Sequence, residues 1–188
     1  MNIEDEKLLL KRIADDPQQF SIIFDRFYKM IFGYIIRRTG DYDVARDVAS
    51  ETFLKAYLNI SKFNYKGISV SSWLYRIATN EMNMFFRKNK YRPVSLDDLV
   101  ENTPFDYADP LSTNEEKSRI ENEMRQHKDF AQVQQHLKHL KTKYQEVIAL
   151  KYFEQKSIRE ISEILDKNEG TVKSLLSRGI EMLRQKMI

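Results

Sequence analysis

Residues 168–179 read NEGTVKSLLSRG. Val172, Leu175, Leu176 and Gly179 recur at i, i+3, i+4 and i+7, the spacing of one face of an α-helix, while Thr171, Ser174 and Arg178 line another. One face can pack; the other presents short donors and a cation. Just upstream, Ser157-Ile158-Arg159-Glu160 has the form of a capping box, in which the serine side chain satisfies an amide three residues on and the glutamate reaches back to the serine amide. The helix it opens turns Ile158, Ile161 and Leu165 inward, Ser162 is small where two helices would meet, and Lys167 to Glu169 make a tight connection. This is helix-turn-helix spacing. In that geometry the outward face of the second helix enters a major groove, so Thr171, Lys173, Ser174, Ser177 and Arg178 become readers of bases and phosphates, and Arg159, at a helix start, suits a phosphate. The same pattern also describes an ordinary helical hairpin with a solvated cationic face. Asp166 stands where such turns often carry glycine.

The bulk of the chain narrows the choice. Its 188 residues have room for two small domains, and the absence of cysteine excludes disulfides, thiolate metal sites and thiol catalysis, which fits a reducing compartment, the cytoplasm. Residues 1–16, MNIEDEKLLLKRIADD, lack the basic-then-apolar order of a signal peptide, and charges interrupt every apolar run short of a membrane span, so a soluble protein is expected. Net charge is only +3, but its distribution is uneven. Residues 1–92 carry 16 Lys and Arg against 11 Asp and Glu, residues 93–116 carry none against 7, and residues 117–188 carry 15 against 10. Two mildly basic blocks flanking a wholly acidic segment point to two polyanion-binding modules joined by a linker of different purpose.

Segment 93–116, PVSLDDLVENTPFDYADPLSTNEE, holds three of the four prolines and has no sustained helical period, as an extended linker would. Before it, Phe20, Ile23, Phe24, Phe27, Tyr28, Ile31 and Ile35 recur at helical spacing until Gly40-Asp41 breaks the run. Asp43 is placed to cap the next helix, whose packing face is Val48, Thr52, Phe53, Ala56 and Ile60, and a third long helix is expected from Trp73 to about Lys90. After the linker, helices are expected near 120–140, 144–153, 157–166 and 170–187. No strand pattern or repeat stands out. The expected fold is all-α: two small helical domains, 1–92 and 117–188, joined by the extended acidic linker, the second containing the helix-turn-helix.

On the helix from Trp73, residues Trp73, Arg76, Asn80, Asn83 and Arg87 follow at steps of three and four and share one face. A face with two arginines and two asparagines suits a nucleic-acid backbone and unpaired bases better than a core, with Leu74, Ile77, Ala78 and Phe85 as the packing side. Trp73 fits a buried anchor as well as a base contact. On the helix Asp47 to Leu58, the positions Asp47, Glu51, Leu54 and Leu58 mix acid with leucine, which suits a partner with a basic, partly apolar surface, although acids also belong near helix N-termini.

Taken in order, ARDVASETFLKAY, SSWLYRIATNEMNMFFRK and SIREISEILDKNEGTVKSLLSRGIEMLR resemble the extracytoplasmic-function group of bacterial sigma factors over nearly the whole chain. The resemblance implies a two-domain promoter-specificity subunit of RNA polymerase. It implies that Asp47, Ser50, Glu51 and Leu54 bind a coiled coil of the core enzyme's largest subunit. It implies that the loop from Ser61 to Val70 and the helix from Trp73 recognise and melt the minus-ten element, with Phe63, Asn64, Trp73, Arg76 and Asn80 carried over. The second helix of the C-terminal pair would then read the minus-thirty-five element, the acidic linker would thread the RNA exit path, and an anti-sigma factor would hold the protein inactive. A segment of carboxylates without Lys or Arg also suits a cation-lined RNA channel on physical grounds. Many members have Ala-Glu-Asp and a glutamine where this chain has Ala45-Arg46-Asp47 and Ser50, and an arginine where it has Leu176.

Other readings leave less of the sequence explained. His136 and His139 could form half a metal site, but no third ligand of clear spacing accompanies them, and no glycine-rich phosphate loop or nucleophile set appears, so no cofactor and no catalysis are expected. A stand-alone regulator would have no need of the linker's charge or the Trp73 to Arg87 stripe.

Overall fold

The computed structural model describes residues 3–63, 68–90, 136–137 and 139–187. Every regular element among them is helical. Helix α1 (Ile3–Asp15) forms where the sequence is dominated by charge; Leu9 and Ile13, one turn apart, are its buried apolar positions. Asp16 then accepts a hydrogen bond from the Gln18 amide at 3.0 Å and caps the 3-10 turn Pro17–Phe20. Glu6 is buried, and its carboxylate accepts from the amide of Val70, the first residue of α4, at 3.1 Å. An acid from α1 thereby satisfies one of the orphan amides at the start of the fourth helix and complements its dipole.

Helix α2 (Ser21–Thr39) buries Ile23, Phe27, Ile31, Tyr34 and Ile35 and stops at Gly40, whose φ of 70° is left-handed and whose amide donates to Ile36 O. The cap of α3 (Tyr42–Asn59) is Asp41 and not the expected Asp43: Asp41 is extended, at φ −134°, and accepts from the Val44 amide at 2.9 Å, whereas Asp43 is already inside the first turn. The left-handed glycine ends α2 so sharply that Asp41 becomes the junction residue, the only place from which a side chain reaches the third amide. Val48, Thr52, Phe53 and Ala56 are buried, as is Ile60 in the 3-10 turn Ile60–Lys62. Helix α4 (Val70–Lys90) starts three residues before Trp73, with the Ser69 hydroxyl accepting from the Ser72 amide. Leu74 and Ala78 are buried as their spacing predicts, and so are Tyr75 and Met82.

In the C-terminal half, α5 (Thr142–Ile148) runs into a π-helical turn, Ala149–Phe153, followed by α6 (Ile158–Leu165) and α7 (Glu169–Met187). A Cβ on Gly179 would lie 2.9 Å from Ile148 Cδ1 and 3.4 Å from Tyr144 Cβ. The missing side chain lets α7 close on α5, which offsets the roughly 1 kcal/mol that glycine costs within a helix. The acidic segment 93–116, both of its boundaries, Asn64, and nearly all of the helix expected near 120–140 lie outside the described residues. The two halves touch. Helix α4 packs on α6, and α2 meets the π-helical turn.

Candidate nucleic-acid interface

The C-terminal pair has the expected geometry. Both arms of the capping box are made: Ser157 Oγ accepts from the Glu160 amide at 3.2 Å, and Glu160 Oε2 accepts from the Ser157 amide at 2.8 Å. Burial by itself raises the Glu160 pKa, but the bonds from Ser157 and the nearby Lys156 ammonium outweigh it and hold the carboxyl below the usual range. Asp166 takes the left-handed conformation, φ 52°, that glycine would adopt more cheaply, and the Lys167 amide donates to Ser162 O. Ser162 turns its hydroxyl back to Arg159 O. Asn168 then caps α7 by accepting from the Thr171 amide at 2.7 Å.

Val172, Leu175 and Leu176 are buried, so Leu176 is a packing residue here. Thr171, Lys173, Ser174, Ser177 and Arg178 are all exposed along the opposite side of α7. Lys173 lies 4.0 Å from Glu169, a loose surface pair, and Arg159 Nε donates to Glu163 at 3.2 Å, an i, i+4 pair whose arginine is exposed; surface pairs of this kind contribute little. Five groups able to read or hold nucleic acid therefore sit on one rigid, capped helix.

The α4 stripe divides into three environments. Trp73 is half-buried and packs on Phe63, ring centroids 4.6 Å apart. Asn80 and Arg87 are exposed. Arg76 and Asn83 face the C-terminal half: Arg76 donates to Glu163 O and lies 3.9 Å from Asp166, and Asn83 Nδ2 donates to Glu146 at 2.7 Å. The α3 stripe is open, with Asp47, Ser50, Glu51, Leu54 and Leu58 all exposed. Beside it lie two aromatic side chains that sequence spacing assigned no surface role: Tyr57, packed edge-on against Phe20, and Phe24, packed edge-on against Phe53. Phe24 belongs to the apolar run of α2 and could not be told from a core position by periodicity.

Comparison with known proteins agrees with this layout. The family model "Sigma-70 region 2" matches residues 23–92, from within α2 through α4, and "Sigma-70, region 4" matches residues 130–183, which contain α5, α6 and most of α7. The chain is 33% identical to the ECF RNA polymerase sigma factor SigW of Bacillus subtilis, over 97% of this chain and 98% of that one. It belongs to the extracytoplasmic-function sigma factors of the sigma-70 family. The sigma factor is thus a promoter-specificity subunit of RNA polymerase, directing initiation by binding core enzyme and recognising and melting promoter DNA. Its fold is shared by CnrH, solved with the cytosolic domain of CnrY, at a TM-score of 0.66 and 20% identity over 97% of this chain and 96% of that one. It is shared also by RpoE of Bartonella quintana, solved with the anti-sigma factor NepR, at 0.65 and 20% identity over 89% and 96%. Among the described residues no helix is long and apolar enough to cross a membrane, and no group of three or more His, Asp or Glu could hold a metal ion.

Proposed function

We propose a division of labour among three surfaces of this sigma factor. The acidic and apolar face of α3, with Asp47, Ser50, Glu51 and Leu54, docks on the coiled coil of the polymerase's largest subunit, and Phe24 and Tyr57 widen its apolar part. Phe63, Asn64 and the α4 residues Trp73, Arg76, Asn80, Asn83 and Arg87 bind the minus-ten element and hold the opened strand. Helix α7 reads the minus-thirty-five element through Thr171, Lys173, Ser174, Ser177 and Arg178, with Arg159 on a phosphate.

What carries this reading is the exposed, capped α7 with five polar or cationic side chains on one side and Val172, Leu175 and Leu176 on the other. The domains run 1–92 and 117–188, and the acidic segment 93–116 occupies the RNA exit path until nascent RNA displaces it. The protein works in the cytoplasm, adds no catalysis of its own and leaves nucleotide addition to the core enzyme. CnrH was solved with the cytosolic domain of CnrY, and RpoE with a partner named an anti-sigma factor; we assign this chain a regulator of the latter kind.

Melting is tested at Asn80, because it is exposed and its loss removes no contact between the halves. Asn80→Ala should leave core binding unchanged and reduce open-complex formation about tenfold, the loss expected for about 1.4 kcal/mol of base contact. Permanganate footprinting reads it directly. Normal thymine reactivity across the start site in this variant would count against the α4 assignment.

A further inference from the structure

Helix α1 carries an acid on its apolar stripe. Glu6, Leu9, Leu10 and Ile13 follow at i, i+3, i+4 and i+7 and share one face, and α1 packs against the 3-10 turn Ile60–Lys62. The exposed side of the same helix takes Asp5, Lys7, Lys11, Arg12 and Asp15. Glu6 is only 6% exposed, and burying a carboxylate is costly unless hydrogen bonds compensate it. Its compensation is the Val70 amide, 3.1 Å away across sixty-four residues of chain.

That amide opens α4. Ser69 O accepts from the Trp73 amide at 3.0 Å, which makes Ser69 the cap residue and Val70, Ser71 and Ser72 the first turn. Ser69 Oγ accepts from the Ser72 amide at 3.1 Å, so side chains answer two of the orphan amides, and the one nearest the helix start is answered from α1. Farther along, α4 is held by other elements: the Tyr34 hydroxyl lies 2.9 Å from Thr79 Oγ1, and Lys55 donates to Glu81 at 2.6 Å. These contacts fix the middle of the helix; Ser69 and Glu6 hold the amides of its first turn. Trp73 follows that turn directly, with its ring 4.6 Å from that of Phe63, and the Phe63 amide donates to Ile60 O in the 3-10 turn against which α1 packs. One helix therefore buttresses both members of the Phe63–Trp73 pair.

We propose that Glu6 is a positioning residue for promoter opening: it fixes the first turn of α4 and so sets Phe63 and Trp73 where the minus-ten element is held. The inference rests on the assignment of that pair and of α4 to the minus-ten element. A carboxylate suits this task better than a neutral acceptor, because a charge-assisted bond to an amide is about twice as strong and complements the positive end of the α4 dipole. Without it the Val70 amide is left buried and unpaired, and the turn frays toward water to satisfy it. Fraying carries Trp73 off Phe63 while Asn80, between the anchored Thr79 and Glu81, stays in place. Glu6 acts through α4 and touches no DNA itself.

Trp73 is the only tryptophan of the chain, so its fluorescence reports on this turn directly. The test uses the full chain with Glu6→Ala and Glu6→Gln, each free and in holoenzyme. In Glu6→Ala the Trp73 emission should move to longer wavelength and acrylamide should quench it more, with helical circular dichroism retained. Open-complex formation, read by permanganate, should fall about fivefold, the typical contribution of an N-terminal cap, while affinity for core polymerase stays unchanged. Glu6→Gln keeps an acceptor without the charge and should limit the loss to about twofold. Reduced opening with unchanged Trp73 emission, or altered emission with normal opening, overturns the positioning role. So does a loss of core affinity in step with opening, which would make Glu6 a general stabiliser, and so does an equal loss in Glu6→Gln. The promoter assignment fails separately: normal opening in Asn80→Ala removes α4 from melting, whereas normal opening in Glu6→Ala beside impaired opening in Asn80→Ala removes Glu6 alone.

Discussion

The double reversal Asp47→Lys/Glu51→Lys is expected to lower affinity for core polymerase more than a hundredfold, about 3 kcal/mol, while leaving the helical fold intact. Placing two cations where a basic partner surface expects carboxylates converts attraction into like-charge contact, which costs several kcal/mol at a docked interface. The fold should tolerate it because both side chains point to solvent, Asp47 being 79% exposed, and the face beneath them, Val48, Ala49, Thr52 and Phe53, is untouched. Glu51 does pair with Lys55 at 3.3 Å, but Lys55 also reaches Glu81 at 2.6 Å, so its main partner survives. Glu81, the largest influence, favours the charged ammonium while burial opposes it, and the Lys55 pKa is raised on balance. Competition for core against a labelled unmodified chain measures the effect. Unchanged affinity would remove α3 from the polymerase interface.

The second large effect belongs to α7. Arg178→Ala or Lys173→Ala is expected to cost about 1 to 3 kcal/mol on the preferred minus-thirty-five element and to relax the preference at one base pair, as loss of a bidentate base contact does. Both side chains have the reach for a guanine edge from a helix lying in the groove, and both are exposed in the folded chain. Ser174 and Ser177 reach only what the helix brings close. Arg159→Ala should differ in kind: if the cation at the start of α6 holds a phosphate, as proposed, its loss weakens binding to all sequences alike and lowers the salt slope by about one. Scrambling the minus-thirty-five element separates the two cases, since Lys173→Ala and Arg178→Ala should then have almost no further effect. Equal losses on intact and scrambled promoters would reduce the outer face of α7 to a cationic surface.

Much of the site was legible because it is local. The capping box at Ser157, the turn at 166–168 and the two faces of α7 are set by residues within four positions of one another, and helical period alone separates Leu176 from Ser177. Leu176 illustrates the gain: an apolar side chain at that position completes the inner face, and it is buried. Features that depend on distant partners were not legible. Helix α1 is harder to read because seven charged residues surround its buried positions Leu9 and Ile13, and part of its stabilisation comes from Glu6 capping α4, sixty-four residues away. The cap of α3 was displaced by two residues through the left-handed Gly40, a backbone state that spacing does not reveal. Spacing along α4 assigns Arg76 and Asn83 to a nucleic-acid-facing stripe, yet in this structure both side chains meet α5 and α6. Glu146 and Glu154 drew no notice as two acids on a helix and its end; only the fold turns both inward, and only the π-helical turn brings Glu154 to Arg37 and Tyr75.

The measurement that bears most directly on the sigma-factor assignment is transcription from genomic DNA by core polymerase reconstituted with this chain, with every 5′ end sequenced. The account predicts initiation at a limited set of positions that core enzyme alone does not use, each preceded by a shared pair of elements about 10 and 35 base pairs upstream, with the upstream member blurred at one base pair by Arg178→Ala. Start sites indistinguishable from those of core enzyme alone, or sites with no shared upstream sequence, would contradict it.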